Sequence, residues 1–309
     1  MESIASPPMV VQTARVQTDK SVRELLAACV RLMRPANLVT AAADVLAGSA
    51  IVGAGRDSLG WRVGAGVCLY AGGVVLNDFF DRNLDAVERP ERPIPSGKVP
   101  ASVAAMLGAL LLLAGIAAGF QASTITGILA ASIAGLVLLY DIAAKHHALG
   151  PIVMGSCRGL NLLLGLAAVP AALPHLWFLA LLPLAYIAGI TTLSRGEVHG
   201  GSRAASILAL TLFAAVVVAL AALQGASPVR WLRLLPFLAL LVARVAPPLL
   251  RAHRNPQPTS IRAAVHAGVV SLIVLDAAIA SGYAGVVVAA AILSLSLVAA
   301  EFARLFPVT

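Results

Sequence analysis

The sequence predicts an all-α membrane protein, a polytopic helical bundle of nine to ten transmembrane helices, and three observations carry that reading. Of 309 residues, 60% are hydrophobic and 12% charged, with mean hydropathy +0.92, a balance that water-soluble globules do not carry. Apolar segments of roughly membrane-spanning length recur at approximately 37–54, 61–78, 101–120, 124–141, 151–169, 174–194, 204–223, 231–250, 262–281 and 284–303. With those ten spans, basic residues gather on one side, in the tail and after spans two, four, six and eight. The other side has only Arg56, Arg62, Arg230 and Arg233, the asymmetry expected of cytoplasmic and outer loops.

Residues 1–36 read as a polar cytoplasmic tail with an amphipathic approach to the bilayer. They carry Arg15, Lys20, Arg23, Arg31 and Arg34 and lack the apolar core and cleavage site of a signal peptide. Residues 37–309 read as a single membrane domain, since no linker, low-complexity tract or charge block divides them. The first span holds Asn37 and Asp44, whose spacing puts both on one helix face. The second runs into NDFFDRNLDAVERPERPIPSG, Asn77 to Gly97, with five carboxylates, three arginines and three prolines. If the helix continues, Asp78, Asp81 and Asp85 share a face. Like charges placed so repel, and an all-oxygen set favours Mg²⁺ between them over Zn²⁺, which usually takes His or Cys. Mg²⁺ completes its shell with water and substrate phosphates, so the implied ligand is a phosphate or diphosphate. The plainer alternative is a solvated helix end.

Asn77, Asp78, Asp81 and Asp85, followed by Arg92-Pro93-Ile94-Pro95-Ser96-Gly97, resemble the first aspartate-rich motif of the UbiA superfamily of intramembrane prenyltransferases. The resemblance implies a bundle around a central cavity, a Mg²⁺ cofactor, an isoprenoid diphosphate donor and a lipophilic acceptor, usually aromatic. It also implies that Asn37 and Asp44 line the central pocket; the alternative for Asp44 is a bond to a neighbouring helix.

The fourth span leads into Tyr140-Asp141-Ile142-Ala143-Ala144-Lys145, similar to the family's tyrosine-led loop. This implies diphosphate contact for Lys145 and catalytic placement of substrate for Tyr140 and Asp141; by itself Lys145 is an ordinary inside-positive anchor. The fifth span, with GSCRGLN, places Arg158 and Asn161 one turn apart among Gly155, Gly159 and Gly165, which suit close helix contacts. An arginine there needs an anion, either a substrate phosphate or a carboxylate such as Asp44. Asn161 belongs with the substrate pocket. After the sixth span, SRGEVHGG offers Arg195 for the diphosphate and Glu197 as a lone metal ligand, where most catalytic members carry a second aspartate-rich motif. VERPERPIPSG, GSCRGLN and SRGEVHGG together look like the EboC branch, which implies partner proteins from a bacterial gene cluster. Arg244 and Asp276, lone charges in later spans, read as structural pairs.

Cys29, Cys68 and Cys157 are widely spaced and read as free structural thiols, and His146-His147 is not at metal-binding spacing. No P-loop, dinucleotide fingerprint, metalloprotease motif or nucleophile elbow occurs. The net charge of +8 is spread over short loops, which points to membrane topology and not to nucleic acid. The leading reading is a Mg²⁺-dependent prenyltransferase of a bacterial inner membrane with its motif loops facing the cytoplasm. Asn77, Asp78, Asp81, Asp85 and Glu197 are its candidate metal ligands, and Arg92, Lys145, Arg195 and Arg158 its diphosphate ligands. The alternatives are a non-catalytic isoprenoid-diphosphate binder or transport-associated subunit, and a transporter using Asp44, Arg158 and Asp276.

Overall fold

The computed structural model describes residues 22–306, so the expectations for Arg15, Lys20 and the rest of 1–21 lie outside the described residues. The amphipathic approach takes the form of helix α1 (Val22–Leu32). It exposes Val22 and Leu26 and buries Ala28 and Leu32 against Val75, Ile94 and Val99. Helix α2 (Pro35–Ile51) follows at a 46° bend. Arg34, at the bend, has φ 51°, the left-handed region, directly before Pro35. Both features disfavour that conformation for an arginine, so something must hold it. Its Nη2 donates to Asp78 at 2.8 Å.

Helix α3 (Leu59–Phe80) passes through Asp81 into α4 (Arg82–Glu88) without losing helical backbone, and the Asp85 N–H donates to the Asp81 carbonyl at 2.8 Å. The expected helical spacing of the aspartates therefore holds. Helices α5 (Ala101–Ala122) and α6 (Thr124–Leu139) form a hairpin whose second helix is capped by Ser123, Oγ accepting from the Thr126 N–H at 3.1 Å. The end of α6 widens into a π turn, Tyr140–Ala144, a distortion often found at functional sites. Helix α7 (Gly150–Leu166) carries Pro151 in its first turn, where a missing N–H is no loss. A broken start, with α8 (Leu173–Leu176), leads into α9 (Leu181–Ser194). Ser202 caps α10 (Arg203–Ala222) and Ser227 caps α11 (Pro228–Arg254). Helices α12 (Pro258–Val270) and α13 (Leu272–Ala284) are one span jogged at Ser271, and α14 (Val286–Leu305) closes the bundle.

All ten expected apolar segments are helical. By length and hydropathy, eight helices of the described residues can cross a membrane, or nine when α1 and α2 form one bent span. The remaining segment, α7, has 17 residues and reaches about 25 Å, the short end of the range for a membrane-spanning helix.

The core is built around α13, where Leu272 to Gly282 are all buried. Helix α2 packs on α3, α7, α13 and α14. Its approach to α7 depends on missing side chains: a Cβ on Gly48 would lie 2.2 Å from the Leu162 carbonyl, and one on Gly165 2.2 Å from that of Val45. The three cysteines are free, as expected. Arg244 departs from expectation. It is exposed and makes no ion pair among the described residues, because it projects away from the face of α11 that buries Leu241, Val245 and Leu249.

Candidate functional site

A cavity of about 640 Å³ opens among α3, α6, α7, α9 and α12, within the range of small-molecule sites. Asp81, Asp85, Arg92, Lys145, Arg195 and Glu197 line its mouth. Farther in, Leu69, Ile133, Val137, Ile187 and Val265 make the wall apolar.

Each motif aspartate meets a base. Asp78 is buried and off the cavity, held by Arg34 at 2.8 Å and Arg92 at 3.3 Å. Asp85 takes Arg92 at 2.7 Å, and Asp81 accepts from Lys145 Nζ. The repulsion inherent in the sequence spacing is thus offset inside the protein. Burial still pushes the Asp85 carboxyl above its usual range, with Arg92 opposing and Asp78 and Asp81 adding to the rise. Among the described residues no three His, Cys, Asp or Glu side chains converge. The bases engage one oxygen each of Asp81 and Asp85, and Asn77 donates its amide Nδ2 to Asp141. This all-oxygen set fits Mg²⁺, which needs only one or two carboxylates when water and phosphate complete its shell.

The π turn brings Tyr140, Asp141 and Lys145 to the same mouth. Asp141 Oδ1 accepts from Asn77 at 2.8 Å, while Oδ2 is buried with no partner among the described residues. Arg195 donates to the carbonyls of Lys145 at 3.0 Å and His147 at 2.6 Å, joining the second loop to the third. Glu197 lies 3.4 Å from Arg89, and its carbonyl accepts from Arg262 at 2.9 Å. Burial raises its carboxyl above the usual range, against the pull of Arg89, Arg34, Arg262 and Arg92.

Deeper, Arg158 and Asn161 line the cavity, whereas Asn37 and Asp44 do not. Asp44 is sealed behind the wall, 3.2 Å from Arg158 and 2.8 Å from the Asn161 amide. Between the two anions open to Arg158, the structure supplies Asp44. Asp276 stands next to Asp44, fully buried and within side-chain hydrogen-bonding reach of it, and no N–H donates to either of its oxygens among the described residues. It shares the field of Arg158 and has no base of its own, which corrects the expected simple pair.

The sequence profile of the UbiA prenyltransferase family matches residues 37–260, most of the chain. The protein belongs to the UbiA prenyltransferase family. Proteins named digeranylgeranylglyceryl phosphate synthase are among its relatives. That of Ignicoccus hospitalis is 33% identical over 177 residues, covering 57% of this chain and 58% of its own. That of Methanothrix thermoacetophila is 35% identical over 176 residues, covering 53% and 61%. The matched part is therefore about three-fifths of those relatives' length. The fold is similar to that of the apo UbiA homologue from Aeropyrum pernix K1, with TM-score 0.63 and 18% identity over 78% of this chain and 96% of that one. A second solved structure, described as concerning a digeranylgeranylglyceryl phosphate synthase in membranes, gives TM-score 0.62 and 21% identity over 84% and 99%.

On this UbiA fold, the residues that sequence reasoning misses are Arg34, Arg89 and Tyr70, all on the cavity. In sequence the two arginines resemble any inside-positive anchor, and Tyr70 is one more residue of an apolar span. The prolyl step after Arg34 is the signal that could have drawn attention to that bend.

Proposed function

We propose that the protein is a Mg²⁺-dependent intramembrane prenyltransferase that moves an isoprenoid chain from a prenyl diphosphate to an aromatic or other lipophilic acceptor. The observation that carries this reading is one cavity with a charged mouth and an apolar interior, the polarity of an isoprenoid diphosphate. Arg92, Lys145 and Arg195 would meet the diphosphate and stabilise the charge that develops on it. Asn77, Asp81 and Asp85, with Asp78 behind them and Glu197 opposite, would hold the metal, which when bound supplies positive charge to the leaving diphosphate. The allylic carbon–oxygen bond breaks, diphosphate leaves with the electron pair, and the acceptor bonds to the carbon. Asp141, whose Oδ2 has no partner among the described residues, would take the acceptor's proton, and Tyr140 beside it would help to place the acceptor. The apolar wall keeps water from the cation-like carbon.

The gathering of arginine and lysine at the mouth supports a cytoplasmic orientation in a bacterial cell membrane. SRGEVHGG and GSCRGLN support the EboC branch and partners from its gene cluster. The relatives' name adds a prenylated glyceryl phosphate lipid to the products to look for. The test is release of diphosphate from labelled isoprenoid diphosphates of several lengths, with and without Mg²⁺, with Asp81→Ala as control. Mg²⁺-dependent release that the variant lacks supports the reading; release unchanged in the variant overturns it. The engagement of Glu197 by Arg89 and Arg262 favours a second reading, a non-catalytic binder or transport-associated subunit. Tight Mg²⁺-dependent binding without product, across donors and acceptors, is its expected result.

A further inference from the structure

The apolar interior of the cavity ends on a polar floor. Arg158 and Asn161 line it and are each 5% exposed. Gly150, at the start of the same helix, lies at the mouth beside Lys145 and Arg195. At 1.5 Å per residue, the two side chains are about 12–16 Å farther in. Both hydrogens of the Asn161 amide are committed, to the Ala41 carbonyl at 2.9 Å and to Asp44 at 2.8 Å. Those two acceptors would repel a carbonyl, so they determine which way the amide points. Its Oδ1 is turned toward Gly66, also on the cavity wall, where a Cβ would come within 2.5 Å of it. The amide's bonds among the described residues both run through Nδ2, and none reaches Oδ1. Arg158 is anchored by Asp44 and Thr40, lies 5.2 Å over the Tyr70 ring, and has Nη1 unpartnered.

A buried acceptor left unmet is costly, and a hydrocarbon tail laid against Asn161 would leave it unmet. The nearby charges narrow what would satisfy it. Arg158 disfavours a cation, while Asp44 and Asp276 disfavour an anion. A neutral hydroxyl remains, donating to Asn161 Oδ1 and offering its lone pairs to the guanidinium. We propose that this floor is a second subsite, which binds a hydroxyl carried by the substrate about 12–16 Å from the diphosphate station. A prenyl chain is hydrocarbon, so the hydroxyl belongs to the acceptor, an elongated amphiphile with its reactive end at the mouth. The inference rests on the prenyltransferase reading of that mouth.

The test compares n-decyl diphosphate with 10-hydroxydecyl diphosphate, which differ only in a terminal hydroxyl at comparable reach, by titration calorimetry on the full chain with Mg²⁺. The wild type is expected to bind the hydroxylated probe roughly fivefold more tightly, the value of one hydrogen bond. Asn161→Leu should reverse the preference between the two probes, and its thermal unfolding in detergent reports whether the fold is intact. Equal affinities, or a preference for the decyl probe in the wild type, overturn the subsite and leave the reading of the mouth standing. Binding of neither probe overturns the diphosphate reading of the mouth, and the subsite with it. If Asn161→Leu loses decyl diphosphate binding, the wild-type pair decides by itself.

Discussion

Asn77 Nδ2 donates to Asp141 Oδ1 at 2.8 Å across 64 residues of sequence, joining the first acidic motif to the π turn after α6. The bond turns the Asn77 carbonyl oxygen away from Asp141 and leaves Asp141 Oδ2 without a partner. One amide thus orients a proposed metal ligand and a proposed proton acceptor together.

Asp141→Asn keeps the shape of the side chain and removes its capacity to take a proton. Product formation should fall by about 10²–10⁴-fold, the usual contribution of a positioned base, while donor affinity changes little. Product assays with labelled donor, alongside donor titration, check this; undiminished turnover would remove Asp141 from proton transfer.

Lys145 is hydrogen-bonded to Asp81 at the mouth. Lys145→Ala should weaken donor binding by about tenfold or more, the range for a charge-assisted hydrogen bond. The deficit should shrink as salt is raised and screening grows. Calorimetry at two ionic strengths reads both effects.

Asp44 is the nearest counter-charge of a buried arginine, at 3.2 Å. Asp44→Leu leaves Arg158 poorly compensated, a change that costs about 3–5 kcal/mol in buried pairs. Asp44→Leu combined with Arg158→Met should recover most of the loss. Thermal unfolding in detergent, arranged as a double-mutant cycle, measures the coupling; additive losses would show that the two side chains do not act together.

The α2–α7 contact predicts a contrast between two glycines. Gly165→Ala sets a methyl 2.2 Å from the Val45 carbonyl, whereas Gly135→Ala meets nothing within 4 Å. The first should lose about 1–3 kcal/mol to overpacking and the second should be near neutral or stabilising. Melting temperatures of the two variants in one detergent decide it.

Much of this was legible in the sequence because the relevant signals are local. Hydropathy marked each of the ten helical segments, and helical periodicity put Asp78, Asp81 and Asp85 on one face before any partner was known. The loops that end spans two, four and six carry Asp81, Lys145 and Glu197, and all three line the mouth. Charge asymmetry had already placed those loops on one side of the bundle.

Other features were not legible, because they depend on which helix faces which. Periodicity put Asn37 and Asp44 on one face of α2, yet neither lines the cavity; at Asp44 the reason is α7, which packs across that helix and sets Arg158 and Asn161 against it. Asp78 looked equivalent to Asp81, but Arg34 and Arg92 take it out of the wall. Arg34 does so from a left-handed conformation that no local preference favours.

The sequence by itself determined the helical membrane fold, the family and the loops that make the charged mouth, since apolar length, acidic spacing and the proline-bearing tail are properties of contiguous residues. Only the tertiary structure decided that Arg158 answers to Asp44, that Arg244 makes no ion pair among the described residues, and that Asn161 turns its oxygen into the cavity. Those outcomes depend on helix approach distances, set at α2 and α7 by Gly48 and Gly165, and an interhelical distance is not encoded in any single helix's period.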